Sequence, residues 1–160
     1  MAVDMFLSLE GIPGEAVDDT HGEEIDILAW SWGASQSGTT HMGGGGGSGK
    51  VSVQDVGITK YVDSASHLLL KTCATGAHIP SGTLTVRKAG DKPLEYIVIV
   101  LTDIIVSSIS TGGRGGEDRL TENISLNFAS FDYKYVPQNA DGSGGADKEF
   151  GFDIAKNVVK

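Results

Sequence analysis

Only one cysteine occurs, Cys73, so no disulfide can close within the chain. That suits folding in a reducing compartment and leaves later export open. Basic residues are also few: 12 Lys and Arg stand against 21 Asp and Glu, a formal net charge of −9. Such a surface repels a phosphate backbone, and nucleic acid is not an expected partner. No stretch approaches the roughly 18 consecutive apolar residues of a membrane helix, so no membrane insertion is expected. The opening MAVDMFLSLEG holds Asp4 inside its apolar run and lacks a basic lead-in, so it reads as a strand rather than a cleaved signal peptide. Export would need machinery that accepts an unprocessed chain.

Patterns that carry chemistry are equally sparse. His21, His41, His67 and His78 stand at no zinc-like spacing from one another or from Cys73, and read as scattered surface residues. Cys73 falls on the apolar face of an expected helix, as a small hydrophobe would. There is no G-x-S-x-G elbow. Residues 44–50, GGGGSGK, approach a phosphate loop, but Val51 stands where the magnesium-binding hydroxyl belongs and a strand is expected to follow. Residues 141–147 have the composition of a calcium loop without its ligand positions. Asn123-Ile124-Ser125 is a formal glycosylation sequon inside an expected strand. Neither a catalytic constellation, a metal site nor a cofactor is expected.

What the chain does have is β-branched apolar sequence, above all LEYIVIVLTDIIVSSIS from Leu94 to Ser110. Leu94, Tyr96, Val98 and Val100 share one face of an extended chain, and Ile97, Ile99 and Leu101 share the other. Branched side chains lose rotamer freedom in a helix, so a long strand buried on both faces is expected. One face can pack on the chain's own core; the other needs a helix, a second sheet or another subunit. Asp103 interrupts the run, either where the strand leaves the core or in an ion pair with Arg87, Arg114 or Arg119.

Alternation predicts further strands at 3–9, 25–32, 51–58, 83–88, 124–135 and 150–154. The apolar phase changes inside three of them: between Ile27 and Leu28, near Gln54–Asp55, and at Ala129–Ser130, where a bulge is expected. Strands 83–88 and 94–108 should form an antiparallel hairpin. One helix is expected, with Asp63 at its start, Ala65, Leu68, Leu69, Thr72 and Cys73 on its inner face, and Gly76 as its C-terminal cap. The 160 residues suffice for one domain with a real core. The expected fold is mainly β, a small antiparallel β-barrel of about seven strands with one flanking α-helix.

Several compound motifs, DILAWSWGASQSG, HMGGGGGSGKVSVQD, LTVRKAG and VSSISTGGRGGEDRLTENISLNF, resemble those of the haemolysin-coregulated protein (Hcp) family, and the likeness covers essentially the whole chain. The resemblance implies a structural subunit of the type VI secretion inner tube rather than an enzyme. It implies hexameric rings that stack, effector proteins carried in the lumen, a spike protein at the tip and an outer sheath that drives the tube out. The protein would then be cytoplasmic before firing and extracellular afterwards, without a cleaved signal. No domain is expected after Lys160. Ser31, sent opposite Trp30 and Trp32 by period-2 alternation, and Arg114 in the 111–116 loop are the candidate lumen or cargo residues. Gly43, Gly44, Gly45, Gly46, Gly47 and Gly49 are candidates for contacts between subunits or rings. Ile97, Ile99, Phe131 and Tyr133 are candidates for a subunit seam. The alternative is a small β-barrel that binds a soluble ligand without assembling.

Overall fold

The computed structural model describes residues 3–38 and 50–160. Its organising element is the strand read from the sequence. Strand β8 (Leu94–Thr111) runs between β7 (Ile79–Lys88) and β9 (Thr121–Tyr135), antiparallel to both. Ile99, Leu101, Ile104 and Val106 of β8 are almost fully buried. Each such side chain contributes roughly 1.5–3 kcal/mol by leaving water, so this one strand anchors much of the core.

The sheet grows outward from there. β1 (Val3–Leu9) pairs with β7, and β2 (Ile25–Asp26) pairs with β1. On its far side β9 has two neighbours in succession. β6 (Val56–Tyr61) takes its first half, Val56 opposite Leu126, and β10 (Lys148–Asp153) takes its second, Phe152 opposite Phe131. β3 (Ala29–Ser31) pairs with β6, and β11 (Val158–Val159) with β10. β4 (Ala34–Ser35) and β5 (Ser52–Val53) form a separate two-stranded ladder.

The sheet does not close into a barrel, which corrects the expected fold. Its path has two ends, β2 and β11. The 25–32 segment, expected as one strand, breaks where its apolar phase changes. Ile27 N–H donates to Met5 O on one side, and Leu28 N–H donates to Thr59 O on the other. Closure needs a continuous strand with ladders on both edges; here β2 serves only β1 and β3 serves only β6. Bulges bend a sheet but do not join its edges. The strand count changes for the same reason: eleven strands, several of two or three residues, occur among the described residues.

Other expectations shift in position. The 51–58 segment divides into β5 and β6 at Gln54–Asp55, where its phase slipped. No register shift occurs at Ala129–Ser130; Thr102 stays opposite Ser130 and Ile104 opposite Phe128. The inward phase changes there because Asp103, between them, adopts a left-handed backbone with φ 56°. The shift between β8 and β9 lies at Val106/Ser108 instead.

Helix α1 (Ser66–Thr75) packs against β8, with Ala65 and Leu69 in the same buried cluster as Ile104. Gly76 ends it with φ 68°, its N–H bonded to Thr72 O. Asp63 does not cap the helix from the cap position, which is Ala65; its carboxylate instead accepts from the Ala65 N–H at 2.9 Å.

Candidate functional site

Three features lie outside or across the core. The first is a face of small neutral side chains spanning four strands. In β3, Trp30 packs against the core while Ala29 and Ser31 are exposed. Ser31 lies opposite Gly57 and Ala29 opposite Thr59 on β6. The fit at Gly57 is close: a β-carbon there would sit 2.9 Å from Ser31 Oγ. Gly57 and Thr59 lie opposite Ser125 and Asn123 on β9, which in turn lie opposite Ser108 and Ser110 on β8. Thr59 Oγ1 donates to Asn123 Oδ1 at 2.8 Å, tying two strands of the face together.

Ser31 was reached from alternation alone, whereas its neighbours were not. The signal was nevertheless present: Asn123, Ser125 and Asn127 alternate with Ile124, Leu126 and Phe128. Arg114 stands beyond the end of β8, highly exposed, with Nε 3.3 Å from Glu117 Oε1. It belongs to the loop joining β8 to β9, at the end of the face marked by Ser110.

The second feature surrounds the apolar half of β8. Of the four seam candidates, Ile99 and Phe131 are buried inside the chain's own core, and Ile97 and Tyr133 pack half-buried against it. The opposite side of β8 is less covered. Val98 and Val100 line a concavity of about 580 Å³ with a charged rim: Lys134 lies opposite Val98 and Asp132 opposite Val100, and Glu149 and Lys160 join them. Phe150 is 50% exposed and Val159 65%. An aromatic row continues inward from Phe150 to Phe131 and on to Trp32, whose ring meets Phe131 edge-on at 4.8 Å. Gly43, Gly44, Gly45, Gly46, Gly47 and Gly49 lie outside the described residues.

The third feature is a pair of ionic knots that sequence reasoning missed. Lys60, fully buried, places Nζ 2.6 Å from Glu122 Oε1 and 2.8 Å from Asp63 Oδ1. Ser66 Oγ donates to the same Glu122 oxygen at 2.5 Å, fastening the first turn of α1 to β9. Period-2 parity pointed to it: Lys60 shares a face with Val56 and Ile58, and Glu122 with Ile124 and Leu126.

The other knot holds the 11–24 loop. His21 is not a surface residue: it is 8% exposed, stacked on Phe6 at 4.5 Å, with Nδ1 2.7 Å from Glu24 and Nε2 2.5 Å from Glu95. Burial disfavours its charge, yet the hydrogen bonds to Glu24 and Glu95 outweigh it and hold its pKa above the ordinary histidine value. Beside it, Arg87 donates to both oxygens of Asp18 and to Asp4. That guanidinium holds the Asp18 carboxyl well below the usual carboxylate range. Asp103 pairs with none of the three arginines considered for it; it meets His78 Nδ1 at 2.6 Å.

Among the described residues no three His, Cys, Asp or Glu side chains group to hold a metal ion. Several described charged groups are tied into structural pairs, and the open surface includes a neutral polar face and a valine strip flanked by Lys134 and Asp132. That arrangement defines a structural β subunit. The chain belongs to the Hcp family of the type VI secretion system: residues 6–135 match the family described as "Type VI secretion system effector, Hcp". It is 55% identical over 160 residues to protein hcp1 of Pseudomonas aeruginosa, covering 99% of each chain. Among solved structures it resembles Hcp1 from Salmonella typhimurium, at 39% identity and TM-score 0.83 over all of both chains. It also resembles a structure described as a type six secretion system protein, at 31% identity and TM-score 0.92, over 99% of this chain and 100% of that one. The chain is therefore a structural, non-catalytic, tube-forming protein of type VI secretion. It shares the family's capacity for self-assembly, its general partners within the system and its route from cytoplasm to secretion.

Proposed function

We propose that six copies form a ring, that rings stack into the secretion tube, and that the small neutral face lines the lumen and carries effector proteins. The observation that carries this reading is the composition of that face: Ala29, Ser31, Gly57, Thr59, Asn123, Ser125, Ser108 and Ser110 form an exposed to half-exposed patch without a charge or a large apolar group. A wall that passes varied clients needs such chemistry, since wide apolar patches would hold them and long charged chains would narrow the bore. Arg114, at the edge, contacts an acidic cargo or the next ring.

The apolar flank supports the other half of the reading. Half-exposed Val98 and Val100 on one side of the sheet, and exposed Phe150 and Val159 on the other, leave apolar surface that a ring neighbour would cover, with Ile97 and Tyr133 half-buried against the core between them. The 43–49 glycine segment contacts an adjacent subunit or ring, because glycine permits backbone geometries and close approaches that other residues do not. The spike caps the tube and the outer sheath expels it, so that the protein is cytoplasmic before firing and extracellular after it.

Native mass spectrometry tests the ring directly: its mass should be near six times the subunit's 16.7 kDa. A monomer of that mass would favour the isolated ligand-binding module. Ser31→Trp tests the face. Rings of verified hexameric mass should lose effector retention, and unchanged retention would place Ser31 away from cargo.

A further inference from the structure

On the outer side of the sheet, beside the small polar face, one carboxylate bridges two strands. Asp55 lies between β5 and β6, in the rung next to the Val56–Leu126 pair. Its Oδ1 accepts from Asn127 Nδ2 on β9 at 2.9 Å, and its Oδ2 accepts from Ser107 Oγ on β8 at 2.6 Å. Ser107 is not an ordinary strand residue. It is the extra residue of the bulge: Val106 lies opposite Leu126 and Ser108 opposite Ser125, so Ser107 has no opposite number.

The bulge decides which side chains the end of β8 turns outward. Before it, Ile104 and Val106 point into the core; after it, Ile109 points inward opposite Ile124, and Ser108 and Ser110 point out. Carrying the earlier register one residue further would pair Ser107 with Ser125. Ser108 would then turn toward the core and Ile109 toward the polar face, because a one-residue slip exchanges the two sides of a strand. We infer that Asp55 is a positioning residue: by clasping Ser107 it holds the bulge in place and so keeps Ser108 and Ser110, rather than Ile109, on the cargo-bearing face. The consequence for cargo rests on the reading given under Proposed function; the clasp itself does not.

The test uses the full chain assembled as rings of verified mass. In Asp55→Ala both anchors are lost, and amide hydrogen exchange at 107–111 should quicken about tenfold, as expected for losing hydrogen bonds to a charged acceptor. Effector retention should fall several-fold while ring mass is kept. Asp55→Asn should restore both readouts. Its carbonyl oxygen still accepts from Asn127, and its amide donates to the Ser107 hydroxyl, which accepts as readily as it donates. If Asp55→Ala rings do not form, Ser107→Ala releases the same clasp from the other strand and should give the same exchange signature.

Unchanged exchange at 107–111 in both Asp55→Ala and Ser107→Ala overturns the clasp. Quickened exchange with full effector retention, in a protein where Ser31→Trp abolishes retention, overturns the positioning role. Quickened exchange with full retention in Asp55→Ala and in Ser31→Trp alike overturns the cargo-face reading and leaves the clasp standing.

Discussion

The two halves of β8 belong to one strand and share one buried side, but their outward sides have opposite chemistry. From Tyr96 to Val100 the outer side chains are Tyr96, Val98 and Val100, half-exposed and flanked on β9 by Lys134 and Asp132. From Ser107 to Ser110 they are serines, in line with Ser125, Asn123, Gly57 and Ser31. Two irregularities separate the halves, the left-handed Asp103 and the bulge at Ser107. A single β-strand can therefore contribute to two surfaces of different purpose, provided its phase is reset between them. In the proposed ring the first half meets a neighbour and the second meets cargo.

The largest expected effect attacks the serine half from behind. Glu122 lies under it on β9, paired with Lys60 in the core. Glu122→Ala leaves a fully buried lysine with Asp63 as its remaining carboxylate. Breaking such a pair costs about 3–5 kcal/mol. Chemical denaturation should show that loss, whereas Lys60→Met combined with Glu122→Leu should recover most of it. A single mutant as stable as the parent would mean that the pair contributes nothing to holding α1 and β9 together.

A matched pair of charges then separates the halves. Val100→Asp places a carboxylate in the apolar half, opposite Asp132, and Ser110→Asp places one on the polar face. An unpaired charge buried at a seam costs several kcal/mol, on the order of the penalty for burying a polar group without a partner. Val100→Asp should therefore shift the native mass from ring to monomer while β-type circular dichroism persists. Ser110→Asp, whose carboxylate stays in water, should keep the ring. Dissociation by both, or by neither, would erase the distinction between flank and face.

How much of this was legible in the sequence depends on distance along the chain. β1, the β7–β8 hairpin, helix α1 and its Gly76 cap follow from local periodicity and were read nearly in place. Ser31's direction followed from its two tryptophan neighbours. Local periodicity also registered three phase changes without telling their cause. At Ile27–Leu28 it was a break that leaves the sheet open, at Gln54–Asp55 the division of β5 from β6, and at Ala129–Ser130 the left-handed Asp103 on the facing strand; the bulge at Ser107 was not read. The buried pairs were missed because their partners stand far apart: 62 residues between Lys60 and Glu122, 74 between His21 and Glu95. A polar residue of inward parity signals that a partner exists, but sequence spacing does not say which.

The smallest effect concerns pH, and it distinguishes the two ends of β8 without any mutation. His21 binds Glu95 one residue after the start of β8 and Glu24 in the 11–24 loop, with Phe6 stacked on its ring and the Arg87, Asp18 and Asp4 cluster beyond. Its folded pKa is raised, so the protonated ring contributes stability that is fully present below the unfolded value of about 6.5 and is lost as pH rises through the folded value. Raising pH from about 6 to 9 should then quicken hydrogen exchange around Glu95, after correction for intrinsic rates, and lower the unfolding midpoint slightly. No described histidine pairs with a residue of 107–111, since His78 meets Asp103 and His21 meets Glu95, so corrected exchange at the serine end should stay flat. His21→Gln should remove the pH dependence at the apolar end, because a neutral amide gives the two glutamates nothing to lose. An equal response at both ends would mean that the halves open as one unit and that the clasp at Glu95 stabilises β8 as a whole.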